Sequence, residues 1–428
     1  MAYAEKVYKV RNGQKTKQFT WRSRYLLPNN PVHGSEPGFP TRKLAEDWGN
    51  EQERQIRAGT WIDPKKRATT FGEFAPTFMS SRRKRGRTNG TRWDNLELHI
   101  LPRWENTALG SITWFDVDSW QQTMSVEDVR RGHCVSLMST IMTGAVDAGY
   151  ITTNPLFGRR RTRDTSGNAA APKPAKVGAD GTVRPEDAIL VAERLGPARG
   201  LHVLTTAFLG PRWGEGLGLH RDNTLLTRRQ PDGRGVFECP VLRIVEEYAE
   251  YQERDEDGTK KGYVVRLEPT KNDGSTRDVD VPPFLALLLG YHLDDWKHDR
   301  IFSTPSGVPW RRGNWGRSFR PACDGRPELN KKHAPYRPAW EPILPGLDMR
   351  ALRGLHDTLQ SEIGVKEPLA FEAAGHRRPG IKRHYQRPTP EMRRERLEGL
   401  QDIFERAMGN LGMTSFWGRV SLRKVSWR

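Results

Sequence analysis

A segment without hydrophobic periodicity divides this chain near its middle and limits how the chain can fold. Residues 159–181 are basic and rich in Ala, Pro and Gly, a composition typical of a linker. Helical and strand-like patterns continue on both sides, so we expect folded domains before and after this linker. A length of 428 residues also favours two or three domains over one.

The charge of the chain narrows its possible partners. Lys and Arg outnumber Asp and Glu by 70 to 52, which gives a formal net charge of +18. Such a surplus attracts DNA, RNA or acidic membrane surfaces, so it defines a class of partner but no mechanism.

The three cysteines are far apart and form no C-x-x-C pair, which argues against a disulfide framework and a thiolate zinc site. Because the sequence has no apolar signal core or membrane-spanning stretch, we expect a soluble, cytoplasmic protein.

Residues 1–66 predict a small β-sheet followed by a helix. An Asn-Gly pair at positions 12–13 separates two strand-like runs, as in a β-hairpin, and Thr41 can cap the helix. In the second run, aromatic residues alternate with Arg22 and Arg24 on the opposite face. The simpler interpretation is a small core with a solvated basic face. In a chain this basic, a strand lying in a DNA groove is the alternative, with both arginines as DNA contacts.

Residues 67–158 predict an all-helical domain. Three phenylalanines recur at helical spacing near its start, and a long apolar stripe follows near its end. Between the first two predicted helices lies a basic run that contains Arg82, Arg83, Lys84, Arg85 and Arg87. Such a run is often only a solvated loop. Because this one interrupts a compact helical unit in a basic chain, we favour contacts with DNA phosphates.

Residues 182–408 predict the largest domain, of the α+β class, with a small sheet beside a helical body. Helical patterns occupy 185–195, 199–210, 283–296, 349–363, 366–375 and 390–408, and β-like patterns occupy 236–245, 263–269 and 276–281. The tail, 409–428, ends in alternating apolar residues and tryptophans. Such a tail must bury its aromatic side chains on its own body or on a neighbouring protomer.

Three segments of the largest domain carry side chains suited to phosphate chemistry. Arg212 follows an apolar helix and a Gly-Pro break, and Arg350 and Arg353 lie one helical turn apart. His376 comes nine residues before Tyr385. Taken singly, each residue has a common structural explanation, such as an ion pair or a core position. Their order and spacing in one domain point to a shared site.

This arrangement, Arg…Arg-x-x-Arg…Gly-His…Tyr, resembles the signature of the tyrosine recombinases, the family of phage integrases and chromosome-dimer resolvases. The resemblance covers most of the chain. Residues 182–390 resemble the catalytic domain, 70–157 the helical core-binding (SAM-like) domain, and 1–66 the arm-binding domain of integrases. The resemblance therefore implies a multidomain fold in which a small β-sheet with a helix, an all-α domain and an α+β catalytic domain follow one another.

The resemblance also implies a role for each matching residue. Arg212 and Arg353 match the two arginines that bind the scissile phosphate, and His376 matches the His/Trp position beside them. Tyr385 matches the nucleophile. Glu215 matches a position that supports the site without acting in it. Guanidinium groups suit the phosphate because they neutralise developing charge with fixed geometry.

Two positions require more care. The family uses a lysine at a β-hairpin tip, and Lys271 matches best because its Asn-Asp-Gly context predicts a hairpin turn; Lys260 and Lys261 are competitors. The family's usual His three residues before the second arginine is Arg350 here. Arginine keeps the positive charge but cannot transfer a proton, so a general-base role at this position is in doubt. His356 lies on the wrong side of Arg353 to replace it.

The resemblance implies a site-specific recombinase that cleaves and rejoins DNA through a 3′-phosphotyrosine, without metal, ATP or another cofactor. Its expected partners are double-stranded DNA at core and arm sites, three further copies in a homotetramer, and an accessory directionality or DNA-bending protein. Its expected location is the nucleoid of a bacterial host, with a phage or mobile element as its source. A type IB-like topoisomerase and a catalytically degenerate DNA-binding regulator are the alternatives, whereas a serine recombinase is disfavoured by the β-hairpin at the N-terminus.

Overall fold

The structure, a computed structural model, describes residues 2–11, 14–28, 33–82, 84–162, 177, 182–270, 273–330, 335–381, 385–418 and 420–421. The chain divides into two compact units, Met1–Thr165 with Glu253–Lys261, and Ser166–Gln252 with Gly262–Arg428. Among the described residues, no helix has the length and apolar character needed to cross a membrane.

The first unit begins with a three-stranded antiparallel sheet in the order β1-β2-β3. Its elements are β1 (Tyr3–Arg11), β2 (Gln14–Leu26), β3 (His33–Phe39) and helix α1 (Arg42–Arg57). The predicted hairpin is present, with Arg11 paired to Gln14, but β3 adds a strand that the sequence did not indicate. As predicted, Thr41 caps α1, since its hydroxyl accepts a hydrogen bond from the main-chain N–H of Leu44.

In this unit, the described residues that follow α1 are mostly helical. They are α2 (Pro64–Ala68), α3 (Phe71–Ser81), α4 (Gly86–Asn95), α5 (Leu101–Trp104), α6 (Trp114–Thr123) and α7 (Asp128–Asp147), with a π-helical turn at Leu96–Ile100. The predicted apolar stripes form one core, in which Phe71 and Ile141 are fully buried. The basic run follows α3, and its last member, Arg87, already lies in the first turn of α4.

The second unit combines helices with short strands. Its helices are α8 (Pro185–Leu195), α9 (Pro197–Leu209), α10 (Trp213–Gly218), α11 (Pro283–Asp295), α12 (Arg312–Asp324), α13 (Met349–Glu362), α14 (Glu367–Ala374) and α15 (Pro390–Asn410). The strands are β4 (Thr224–Leu225), β5 (Arg229–Asp232), β6 (Gly235–Glu238), β7 (Val241–Ile244), β8 (Glu246–Arg254), β9 (Lys260–Pro269), β10 (Arg277–Asp280), β11 (Ser415–Phe416) and β12 (Val420–Ser421). The end of β8 and the start of β9 fall within Glu253–Lys261 and so belong to the first unit. They pair in the orders β10-β7-β4, β5-β6, β8-β9 and β11-β12.

Helix α9 lies at the centre of this unit, and every residue from Gly200 to Leu209 is buried. A helix that is apolar on all sides is stable only when other elements surround it. Here α8, α11 and α13 pack against it. The ring of Phe284 stacks on that of Phe404 at 3.6 Å between centroids, which joins α11 to α15. The end of α9 and the start of α13 lie beside this core, which positions the main chain that carries Arg212 and Arg353.

The described part of the tail packs on its own chain. Phe416 is fully buried and its ring lies 6.1 Å from that of Phe404. The indole N–H of Trp417 donates to the carbonyl of Ala192 at 3.1 Å. Residues 422–428, which complete the predicted tail, lie outside the described residues.

Candidate active site

The connection from α9 to α10 positions Arg212 and Glu215. The main-chain N–H of Arg212 donates to one carboxylate oxygen of Glu215 at 2.8 Å, and the guanidinium Nη1 of Arg212 donates to the other at 2.6 Å. Glu215 is only 1% exposed, whereas the side chain of Arg212 is 40% exposed. A buried carboxylate therefore orients a guanidinium whose outer face is open to solvent.

The same carboxylate binds a second arginine, Arg277 of β10. Its Nη2 donates to Glu215 Oε2 at 3.0 Å, and both side chains are almost completely buried. Burial alone would raise the pKa of Glu215, but Arg277 and Arg212 outweigh it and hold that pKa below its usual value. Glu215 is therefore ionised at neutral pH and compensates the charge of two arginines.

Arg353 projects from α13 into the space beside Arg212. Its Nη1 donates to the carbonyl of Gly210, and its Nη2 donates to the carbonyl of Ala374 at 2.5 Å. The carbonyls at the end of α14 bind three arginines. The carbonyl of Ala373 accepts from Arg277, that of Ala374 from Arg353, and that of Gly375 from Arg212. The last carbonyls of a helix have no partner within it and favour cations, so this helix end holds three guanidiniums together.

His376 follows this helix end and touches Arg353. Arg353 Nη2 donates to His376 Nε2 at 3.2 Å, and a guanidinium can only donate, so the imidazole nitrogen accepts. Partial burial, then the charges of Arg353 and Arg212, lower the pKa of His376. The imidazole is therefore neutral at neutral pH and carries its proton on Nδ1.

Gly210 fits where a side chain would not. Its φ of +69° lies in the left-handed region, and an added Cβ would approach His356 Nδ1 to 2.4 Å. His356 is fully buried, and burial lowers its pKa to about 4, so its ring is neutral. This ring packs against the turn at Gly210. The carbonyl of Gly210 accepts a hydrogen bond from Arg353, and the chain continues from this turn to Arg212.

The sequence matches none of the established protein-family profiles. It is 25% identical over 278 residues to proteins named as the prophage phiRv2 integrase of two Mycobacterium tuberculosis strains. That match covers 64% of this chain and 66% of those proteins, just under two thirds of their length. The chain is also 23% identical over 379 residues to the integrase of Mycobacterium phage D29, covering 85% of this chain and 86% of that protein.

The fold resembles that of the Tn1549 transposon integrase, solved in complex with transposon right end DNA. The TM-score is 0.52 at 13% sequence identity, and the match covers 78% of this chain and all of that one. Both the sequence and the fold of this chain are therefore similar to those of integrases. Arg212, Arg353 and His376, which meet in the cluster, are three of the positions that match the tyrosine recombinase motif.

The structure does not place every tyrosine recombinase position in this cluster. Tyr385 is 79% exposed, and in the described part of the chain no hydrogen bond joins it to Arg212, Arg353 or His376. Arg350 lies exposed on α13, one turn before Arg353. Both side chains are exposed, and their roles stay predictions.

The lysine that the resemblance implies, Lys271, lies outside the described residues. The expected hairpin around it is wrong, since β9 pairs with β8 whereas β10 pairs with β7. The segment therefore connects strands of two different sheets. The competitors, Lys260 and Lys261, begin β9, and Lys261 forms an ion pair with Asp255 at 3.3 Å.

The predicted DNA contacts have varied surroundings. Arg24 donates to Glu5 at 3.0 Å, and Arg22 is half-buried on the same strand. In the basic run, Arg82 lies 3.6 Å from Asp147, Arg85 precedes α4, and Lys84 and Arg87 are exposed. Arg83 lies outside the described residues. None of these contacts tests DNA binding, so the assignments remain predictions.

Sequence reasoning missed Arg277 as a member of the site. The signal was available, because the two-residue period of a strand places Arg277 on the same face as the core residue Val279. A charged residue at a core-facing position needs a buried partner, and Glu215 is that partner. For His356, by contrast, nothing in the sequence marks its packing against Gly210.

Proposed function

We propose that this chain is a site-specific DNA recombinase, an integrase of a phage or mobile element, that cleaves and rejoins DNA through a covalent bond to Tyr385. The observation that carries the proposal is the meeting of Arg212, Arg353 and His376, from three separate segments, at one partly open site. The names of the curated relatives support the integrase assignment. Two guanidiniums beside a neutral imidazole suit a phosphodiester, which needs charge neutralisation and a proton acceptor.

In the proposed reaction, Arg212 and Arg353 bind the non-bridging oxygens of the scissile phosphate. Each guanidinium has five N–H donors, so protein contacts leave donors for DNA. The Tyr385 oxygen attacks phosphorus and the bond to the 5′-oxygen breaks. A phenol has a pKa near ~10 and is a poor nucleophile at neutral pH without nearby cations. His376 takes up the phenolic proton on Nε2, after this nitrogen releases the hydrogen bond that it accepts from Arg353.

The leaving 5′-oxygen needs a proton, and Lys271 is the proposed general acid. The phosphotyrosine product retains the phosphodiester bond energy, so a free 5′-hydroxyl can reverse the attack and rejoin a strand. Arg350 keeps positive charge near the phosphate but moves no proton. The proposed partners are duplex DNA at core and arm sites, a homotetramer on two such sites, and an accessory directionality or DNA-bending protein.

The test is covalent trapping on a nicked suicide substrate that carries the cognate site. Wild-type protein should form a covalent adduct that survives denaturing electrophoresis. Tyr385→Phe should bind this DNA normally but form none, because it lacks the nucleophilic oxygen. An adduct that persists in Tyr385→Phe would refute the nucleophile assignment.

Arg353→Ala separates catalysis from binding. Losing one preorganised donor to a transition-state oxyanion costs about 3–4 kcal/mol, a rate loss of two to three orders of magnitude. Adduct formation should fall by that factor, with only a modest loss of DNA affinity. If affinity falls in proportion to the rate, Arg353 positions the DNA and does not stabilise the transition state.

A further inference from the structure

A buried arginine, Arg378, forms hydrogen bonds with the residue that follows Tyr385. This arginine is only 8% exposed, which is rare for a guanidinium without close partners. Its Nη2 donates to the side-chain oxygen of Gln386 at 2.7 Å and to Glu367 at 3.0 Å, and its Nη1 donates to the main-chain carbonyl of Gln386 at 3.4 Å. Gln386 directly follows Tyr385, so one side chain connects the residue after the nucleophile to the first turn of α14.

The position of Arg378 in the chain gives these contacts their effect. It lies two residues after His376, which is itself fixed by Arg353. The contact with Gln386 adds a tether at the residue directly after Tyr385. A chain that is held close to a given residue has fewer conformations there than one that is not.

The partners of Arg378 also distinguish positioning from charge compensation. An arginine that only needs to be neutralised pairs with carboxylates. Here two of the three contacts go to Gln386, a neutral residue, and one of them goes to its main chain. These contacts hold Gln386 and so restrict the backbone directly after Tyr385.

We propose that Arg378 is a positioning residue for the cleavage reaction. By holding Gln386, it restricts the path of the Tyr385 backbone and increases the fraction of time that the phenol is aligned with the phosphate. The inference rests on the proposed function. It adds a residue outside the Arg…Arg-x-x-Arg…Gly-His…Tyr pattern, and this residue acts through Gln386 and does not contact the reacting atoms.

The experiment measures adduct formation in single turnovers, with protein in excess over the suicide substrate. The proteins are wild type, Arg378→Met, Gln386→Met and the double variant. Poor alignment of a reacting group costs up to about a hundredfold in rate. We expect each single variant to lower the rate constant at saturating protein by about tenfold to a hundredfold, with the half-saturating concentration nearly unchanged. The double variant should be no slower than the slower single variant, because both remove one contact.

Two further variants separate positioning from stability. Arg378→Lys keeps a charged donor near Gln386 and should recover part of the rate. Arg377→Met removes the neighbouring exposed arginine and should leave the saturating rate constant unchanged. A variant that only lowers the amount of folded protein would raise the half-saturating concentration and keep the wild-type rate at saturation, and that result would overturn the inference.

The outcomes also separate this inference from the proposed function. If wild-type protein binds its cognate site but forms no adduct, the proposed function fails and the inference fails with it. If wild type forms the adduct and both Arg378→Met and Gln386→Met keep its saturating rate constant, only the inference is overturned. Since Gln386 is exposed, its variant provides this answer even if Arg378→Met does not fold.

Discussion

Replacing Gly210 with alanine should damage both stability and catalysis. The left-handed conformation, with φ of +69°, costs an L-residue about 1–2 kcal/mol. The new Cβ would also lie 2.4–2.9 Å from three ring atoms of His356, and relieving such overpacking typically costs about 1–3 kcal/mol. Together these effects predict a loss of about 2–5 kcal/mol in the free energy of unfolding. Because the Gly210 carbonyl holds Arg353, the rate of adduct formation should fall as well.

Gly364→Ala is the matched control. Gly364 has a similar φ of +65°, but nothing lies within 4 Å of an added Cβ, so only the conformational cost applies. Urea unfolding should therefore show a larger loss for Gly210→Ala than for Gly364→Ala, and only Gly210→Ala should slow adduct formation on the suicide substrate. Equal losses of stability, with a wild-type rate in both variants, would refute the argument that the His356 ring supports this turn.

Three further predictions concern charge and protonation. Glu215→Gln should lower the free energy of unfolding by about 3–5 kcal/mol in urea titrations, because it leaves Arg277 buried without a counter-charge. Burial lowers the pKa of His202 to about 3 and that of His356 to about 4. Protonation therefore favours the unfolded state, in which both histidines have a higher pKa. The free energy of unfolding should be constant above about pH 6.5 and lower by roughly 2 kcal/mol per histidine at pH 5. Urea titrations at several pH values measure this loss. Because the pKa of His376 is lowered, adduct formation should decline at a pH below 6.5, and His376→Gln should remove this decline from the pH–rate profile.

The helices with strong apolar periodicity were predictable from the sequence, and most of their starts and ends follow from local signals. Thr41 caps α1, and a Pro at the first turn begins α8, α9, α11 and α15. The helix α12 escaped prediction because Gly313, Gly316 and Pro321 resemble a loop. Tertiary packing of Trp315 and Phe319 stabilises it in spite of these residues.

Strand β3 was hidden for a similar reason. Its sequence, HGSEPGF, contains Gly34, Pro37 and Gly38, which are poor strand residues. Pairing with β2, through contacts such as Tyr25 with Gly34, provides the order that local propensity does not. A residue at Gly34 with a Cβ would collide with the ring of Tyr25, so the glycine suits this close approach.

The candidate site was predictable as a set of residue types but not as a geometry. Spacing in the sequence indicated Arg212, Arg353 and His376, and the structure brings these three together. The sequence could not show that one carboxylate is shared by two arginines, or that Arg378 binds Gln386. Such contacts depend on how distant segments pack, and a charged residue in a sequence carries no mark of its partner.

The sharing of Glu215 has a consequence for which phosphorus species the pocket prefers. Three guanidiniums and one carboxylate give this group a net charge of +2 when His376 is neutral. An intact phosphodiester carries a single negative charge, whereas the five-coordinate species formed by phenolate attack carries two. In the proposed reaction these positive charges, joined by that of His376 once it has taken up the phenolic proton, compensate the dianion more than they compensate intact DNA, which is the condition for speeding a reaction without binding its substrate too tightly.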